Sequence, residues 1–283
     1  MPVTTQMIGK VLVVTLDRPE ARNAFDRATI VALTEVFEGL SPLKPAPPGQ
    51  QDLAAYRKGE VRPHAALLRS EGPVFCAGAD LDDMRQLGAA DFQTNLTAAR
   101  EMGAMFRAIR LCPVPVVARV QGPAYGGGVG LCCCSDIVVA GAEARFAFSE
   151  VRLGLVAGVI APVVVDRIGQ AAARHYFLTG DSIRAVDALR IGLVDKLAGQ
   201  EGLDTAVQNT LRSLLQGGAA ALGRIKSLLE GTLALGLERS LEFTAQMIAE
   251  ARTSPEAQAA LATFFRKEPA PWARDATWPP DDV

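Results

Sequence analysis

PVVARVQGPAYGGGVGL (115–131) holds the decisive change of pattern in this chain. A run of apolar, β-branched residues over 115–122 predicts a buried strand. It feeds three consecutive glycines, Gly126, Gly127 and Gly128, and then an apolar segment that predicts a buried helix. Three glycines let a backbone turn tightly and let a ligand come close to its N–H groups. The plainer reading is a tight turn, and the glycines lack the spacing of a P-loop or a dinucleotide fingerprint.

A second loop of the same kind lies upstream. In FCAGADLDDM (75–84) a strand ends, the chain turns through Ala77, Gly78 and Ala79, and a helix begins near Asp80. Main-chain N–H groups at a helix start have no partner within the helix and can hold partial negative charge. Two such loops fifty residues apart, each ending at a helix start, are a candidate for paired oxyanion donors.

Outward from these loops the strand and helix alternation continues. VLVVTLD (11–17) reads as a strand and FDRATIVALTEVFEGL (25–40) as a helix capped by Asp26. HAALLRS (64–70) reads as a strand and FQTNLTAAREMGAMFRAIRLC (92–112) as a long helix. Repeated alternation predicts an α/β fold of stacked parallel units. Residues 41–63 are rich in proline and polar side chains and read as an inserted loop, either a tolerated surface insertion or a lid. Beyond residue 202 strand signals stop and four helical segments follow, the last with Ser254 as N-cap and Pro255 at its first position. A boundary near 202 therefore divides a domain over 1–202 from a helical region and tail over 203–283.

With 283 residues, 49% of them hydrophobic, and a formal charge of -2, the chain has enough apolar material for a large core and no sequence-wide positive field. That balance argues against nucleic acid or an anionic membrane as a bulk partner. The amino terminus runs directly into a strand-like pattern and the chain has no long apolar run, so a cytoplasmic location is expected. Cys76, Cys112 and the run Cys132, Cys133, Cys134 read as reduced, buried residues. Two histidines far apart give no expectation of a metal site.

In order and spacing, FCAGADL, GPAYGGGVGL, SDIVVAGAEARFAFSEVRLGL (135–155) and ALRIGLVDKL (188–197) resemble the crotonase, or enoyl-CoA hydratase/isomerase, family. The resemblance runs from about residue 8 to 267. It implies a spiral of β-β-α units followed by a C-terminal helical oligomerisation region, forming a homotrimer or a dimer of trimers. It also implies an acyl-CoA substrate, with coenzyme A entering as part of the substrate and no permanently bound cofactor. By matching position, the thioester oxygen would lie between the amides of Ala79 and Gly127, and Glu150 would be the acid/base group. Family hydratases use a second glutamate; its matching position here is Gly130.

Coenzyme A is expected around Arg22 and Ala24 and along Ala77, Gly78, Asp80 and Leu81. A cation near the C-terminus would meet its 3′-phosphate; TFFRK (263–267) offers Phe264, Arg266 and Lys267, and Lys267 is the matching choice. The alternative for this stretch is a solvated helix end. Tyr125, Ser149, Asp80 and Asp83 are conceivable as a second acid/base group, with structural roles as the alternative for each. Glu150, set among apolar neighbours, should have a raised pKa. His175 reads as a packing or surface residue. The segment 149–180, with Gly130, is similar to a subgroup of bacterial hydratases and dehydratases that includes enzymes acting on branched glutaconyl-type CoA esters and polyketide β-branching dehydratases. The expected activity is therefore reversible hydration of an α,β-unsaturated acyl-CoA, with a branched, 3-methylglutaconyl-like thioester as the finer expectation. The alternatives are double-bond isomerisation with Glu150 as sole proton shuttle, and a non-catalytic acyl-CoA-binding protein.

Overall fold

The computed structural model describes residues 1–41, 63–273 and 278–279; almost all of the expected 41–63 insertion lies outside them. Strand β2 (Val11–Leu16) is buried at all six positions, as a strand covered on both faces must be. On one side it pairs antiparallel with β1 (Val3–Ile8) and on the other parallel with β3 (Ala65–Ser70). The sheet grows in chain order through β4 (Val116–Val120), β6 (Ile137–Gly141) and β9 (Lys196–Ala198), each parallel to the last. Three short strands, β5 (Ala124–Tyr125), β7 (Arg145–Ala147) and β8 (Ile183–Arg184), form a second sheet. From β4 onward the chain passes back and forth between the two sheets, which produces the expected spiral.

The pleat sorts the core into two layers. Leu12, Val14, Leu68, Ala118 and Val138 share a core with helices α1 (Arg27–Gly39), α3 (Phe92–Leu111) and α4 (Gly127–Cys134), while α2 (Leu81–Ala89) has no buried residue. The alternating residues Val11, Val13, Leu67, Val117 and Val139 meet helix α7 (Leu203–Leu215) through Leu203, Val207, Leu211 and Leu215. Helices α5 (Ala161–Thr179) and α6 (Ala185–Arg190) join the first of these layers through Val164, Ile168, Ala173, Ala185 and Ala188. The expected caps are present: Thr29 N–H donates to Asp26 Oδ1 at 2.7 Å, and Ala257 N–H donates to Ser254 Oγ at 3.3 Å. All five cysteines are free and buried. His175 is exposed against the edge of Tyr176.

Helices α8 (Ala219–Ala234), α9 (Leu237–Thr253) and α10 (Pro255–Phe265) end the described chain apart from its last short segments. Two ionic ties hold α8 to the α/β core. Lys226 Nζ lies 2.6 Å from Asp136 Oδ2, and Arg110 of α3 pairs with both Glu230 and Asp166. Ile225, Leu229, Leu241, Ile248, Phe264 and Phe265 are exposed on these helices. No helix among the described residues is long and apolar enough to cross a membrane.

Candidate active site

The two glycine loops lie side by side because three short segments are sewn together by main-chain hydrogen bonds. Tyr125 N–H donates to Cys76 O (2.9 Å), and the Phe75 amide donates to Pro123 O (3.0 Å). The 75–80 segment is bound on its other side to the loop before α1: Ala77 N–H reaches Arg22 O (3.0 Å), Phe25 N–H reaches Gly78 O (2.7 Å) and Asp80 N–H reaches Phe25 O (2.9 Å). This pairing uses the Gly78 carbonyl and the Asp80 N–H on either side of Ala79 and leaves Ala79 itself exposed on a cavity of about 780 Å³. Among the described residues its N–H has no acceptor. Gly127, as first residue of α4, likewise has no acceptor for its N–H within the helix or in the surrounding loops.

The closeness of the loops depends on glycine. Gly78 sits at φ +88°, and a Cβ there would fall 2.8 Å from Tyr125 O and 3.5 Å from Gly127 N. Gly126 sits at φ +47°, and a Cβ there would fall 2.9 Å from Glu150 Oε1. Both are backbone states that side chains disfavour, in places where a side chain has no room. Glu150 is thus packed directly against the peptide that precedes the Gly127 amide.

Glu150 opens a short 3₁₀ turn, Glu150–Leu153, just after β7. It is half-buried, and its Oε2 is shielded from solvent with no hydrogen-bond partner among the described residues. Burial raises its pKa above the usual carboxylate value, partly opposed by a hydrogen bond from its own amide. A shielded, unpartnered carboxylate oxygen costs stability, and such strain is typical of groups kept for proton transfer.

Position 130, which matches the second glutamate of family hydratases, is closed. A Cβ on Gly130 would meet Ile160 Cγ2 at 2.6 Å and Phe106 Cε1 at 2.9 Å, and both side chains are core residues. The volume a glutamate would occupy is filled by hydrocarbon. Two of the other conceivable partners are engaged in hydrogen bonds or ion pairs. Asp80 caps α2 through Asp82 N–H (3.0 Å) and pairs with Arg18 (3.2 Å), while Asp83 accepts the Arg27 N–H (3.0 Å). Ser149 is exposed, and Tyr125 is 36% exposed on the strand before the glycines.

Of the positions expected to meet coenzyme A, Arg22, Ala24, Ala77, Gly78, Asp80 and Leu81 all lie in the two paired segments beside Ala79. Arg22 and Leu81 are exposed and Ala24 is buried. Lys267 stands exposed at the end of α10, its amide bonded to Phe264 O (2.9 Å), outside these loops. Sequence reading missed Phe25, whose backbone carries the bridge to Ala79 and whose ring lies against Gly127. It also missed Arg18 and Asn23, which brace that loop. None carries a local signal, because their roles exist only once three distant segments meet.

An α/β spiral with unpaired amides beside a shielded carboxylate defines a crotonase-type fold, and solved structures agree. An enoyl-CoA hydratase from Shewanella pealeana is 33% identical and superposes with a TM-score of 0.85, covering 96% of each chain. Pseudomonas aeruginosa AtuE is 32% identical with a TM-score of 0.86, covering 96% of this chain and all of that one. The family model described as enoyl-CoA hydratase/isomerase matches residues 53–275, and the chain belongs to that family. Among its relatives, the short-chain-enoyl-CoA hydratase of Clostridium acetobutylicum is 28% identical over 265 residues, covering 92% of both chains.

Proposed function

We propose that this enzyme reversibly hydrates an α,β-unsaturated acyl-CoA, with Glu150 as its only acid/base group and the Ala79 and Gly127 amides holding the thioester oxygen. The observation that carries this reading is the shielded, unpartnered Oε2 of Glu150 packed beside the Gly126–Gly127 peptide. In the forward direction the carboxylate takes a proton from water as the water oxygen bonds to the β-carbon. The π electrons move onto the thioester oxygen as an enolate, which the two amides stabilise. Glu150 then returns the proton to the α-carbon, and the carbonyl re-forms. One carboxylate serving both steps delivers oxygen and proton to the same face. The raised pKa suits this role, since it brings the carboxyl group closer to the range in which it can both take and return a proton.

The branched, 3-methylglutaconyl-like acyl group is a finer reading that rests on the 149–180 segment and Gly130. In its support, the cavity beside Ala79 has room for a branched chain between Met84, Leu87, Met102 and Val159. Coenzyme A would lie along Arg22, Ala24, Ala77, Gly78, Asp80 and Leu81, with Lys267 of a neighbouring copy at its 3′-phosphate. The exposed apolar face of α8–α10 suits burial between copies in a trimer or dimer of trimers, which sedimentation would test.

The deciding assay offers purified protein a panel of linear and branched enoyl-CoA thioesters and follows loss of conjugation by ultraviolet absorbance. Hydration of none of them sinks the proposal. Isomerisation is favoured as the second reading by the hydrocarbon at position 130, because moving a double bond needs one proton shuttle and no held water. With a 3-enoyl-CoA in ¹⁸O-water, an isomerase makes conjugated product free of label, whereas a hydratase leaves the 3-enoyl-CoA unchanged and makes labelled 3-hydroxyacyl product only from the 2-enoyl-CoA.

A further inference from the structure

We propose that Arg18 is a positioning residue that sets the Ala79 oxyanion donor, acting through Ala24 and Asp80 without touching the substrate. This rests on the reading of Ala79 and Gly127 given above.

The loop between β2 and α1 is in a costly conformation. Arg22 (φ +53°) and Asn23 (φ +54°) are consecutive non-glycine residues in the left-handed region. Such residues persist only where their surroundings over-determine them. Asn23, 2% exposed, supplies one restraint: its Oδ1 accepts the Arg18 N–H (2.9 Å), and its Nδ2 donates to Glu71 O (2.8 Å) and Val74 O (2.9 Å). Arg18 supplies the other. Its Nη1 donates to Ala24 O at 2.8 Å and lies 3.2 Å from Asp26 Oδ2, while its Nη2 donates to Asp80 Oδ2 at 3.2 Å.

The arrangement has a direct consequence for the site. Ala79 is flanked by the two hydrogen bonds that join its segment to Phe25, one from Phe25 N–H to Gly78 O and one from Asp80 N–H to Phe25 O. Arg18 grips the residue on the near side of Phe25, Ala24, and the residue on the far side of Ala79, Asp80. Its guanidinium therefore closes a ring around the bridge that aims the Ala79 amide. The Asp80 carboxylate held by Arg18 also caps α2 at Asp82 N–H (3.0 Å), so the helix start is fixed in the same step. A planar fork with several fixed donors can reach a carbonyl and two carboxylates at once; an ammonium on a flexible stem cannot hold the same directions.

The test compares wild-type protein with Arg18→Lys and Asp80→Asn. It uses steady-state kinetics on crotonyl-CoA, thermal melting, and difference infrared spectra of a ¹³C-carbonyl-labelled acyl-CoA bound to each protein. Hydrogen bonding from two amides should move the thioester carbonyl band to lower frequency in wild type. In both variants kcat should fall about tenfold to a hundredfold, and in Arg18→Lys, which lies outside the proposed coenzyme A contacts, KM should stay within about threefold, because misplacing a reacting group acts on the transition state. The carbonyl band should move back toward its position in water, with both variants folded at the assay temperature. A band unchanged from wild type, or a loss explained wholly by KM or by a lowered melting temperature, overturns the positioning role. No band shift in wild type itself would instead overturn the oxyanion reading beneath the proposal.

Discussion

Gly127→Ala adds one methyl group at the point where the two proposed donors are coupled. The backbone of Gly127 is in a region any residue adopts, so the perturbation is steric. The new Cβ would lie 2.7 Å from Phe25 Cε2 and 3.1 Å from Cδ2, with Phe106 Cζ at 3.8 Å behind. Phe25 is 1% exposed and packs edge-on to Phe106 with ring centroids 6.3 Å apart, so its ring has little room to yield. Overpacking of this kind costs about 1–3 kcal/mol, and replacing glycine in a helix returns roughly 1 kcal/mol. The net loss of stability is then about 0–2 kcal/mol, and the variant should fold.

Its activity should suffer more than its stability. Phe25 can relieve the contact only by moving, and its backbone carries the bridge to Ala79, so relief at Gly127 displaces the other donor. Losing one oxyanion donor costs about 2.7–4 kcal/mol, or roughly 10²–10³ in kcat. Steady-state hydration of crotonyl-CoA, followed by absorbance alongside urea unfolding of the same sample, separates the two effects. A folded Gly127→Ala enzyme that keeps kcat within about threefold of wild type would refute the coupling and the donor role of Gly127 together.

Glu150→Gln should abolish turnover while preserving the fold, and wild-type kcat/KM should fall at acid pH through a pKa above the ordinary carboxylate value. The same substitution should raise the melting temperature at neutral pH. Because burial raises the folded-state pKa, the folded protein binds the proton more tightly than the unfolded chain. Ionisation of Glu150 therefore removes stability as pH rises from its ordinary value of 4.5 through the raised one. Below both values wild type and variant should differ little, and a variant less stable than wild type at pH 7 would contradict the burial argument. Gly130→Glu should destabilise by more than about 3 kcal/mol, since it forces side-chain atoms and a carboxylate into space held by Ile160 and Phe106; urea unfolding would show it. Lys226→Ala leaves Asp136 with the Val116 amide (2.7 Å) but no cation, and should cost about 1–3 kcal/mol by the same measurement.

The alternation of buried β-branched runs with amphipathic stretches made the α/β class legible, because one face of each helix and both faces of β2 must be apolar to be buried at all. Capping made the starts of α1 and α10 legible for a similar reason: Asp26 and Ser254 act within one turn of where they stand in the chain. The ordered set of short motifs went further and indicated the family. Glu150 stood out by its apolar neighbours, but its shielded oxygen and its contact with Gly126 depend on β7 lying beside β5, twenty residues away in sequence.

What the sequence by itself determined was the kind of chain this is: which segments are strands, which are helices, and where glycine allows backbone to come close. Tertiary structure decided what those segments do together. Only the folded chain shows that Gly130 is walled by Ile160 and Phe106, so that no second carboxylate fits there. It alone shows that Arg18 and Asn23 hold a strained loop against the Ala79 segment. Local propensity acts over a few residues and leaves its mark in local pattern. A packed wall or a bridging guanidinium is made by residues brought together from far along the chain, and nothing in any one segment records the meeting.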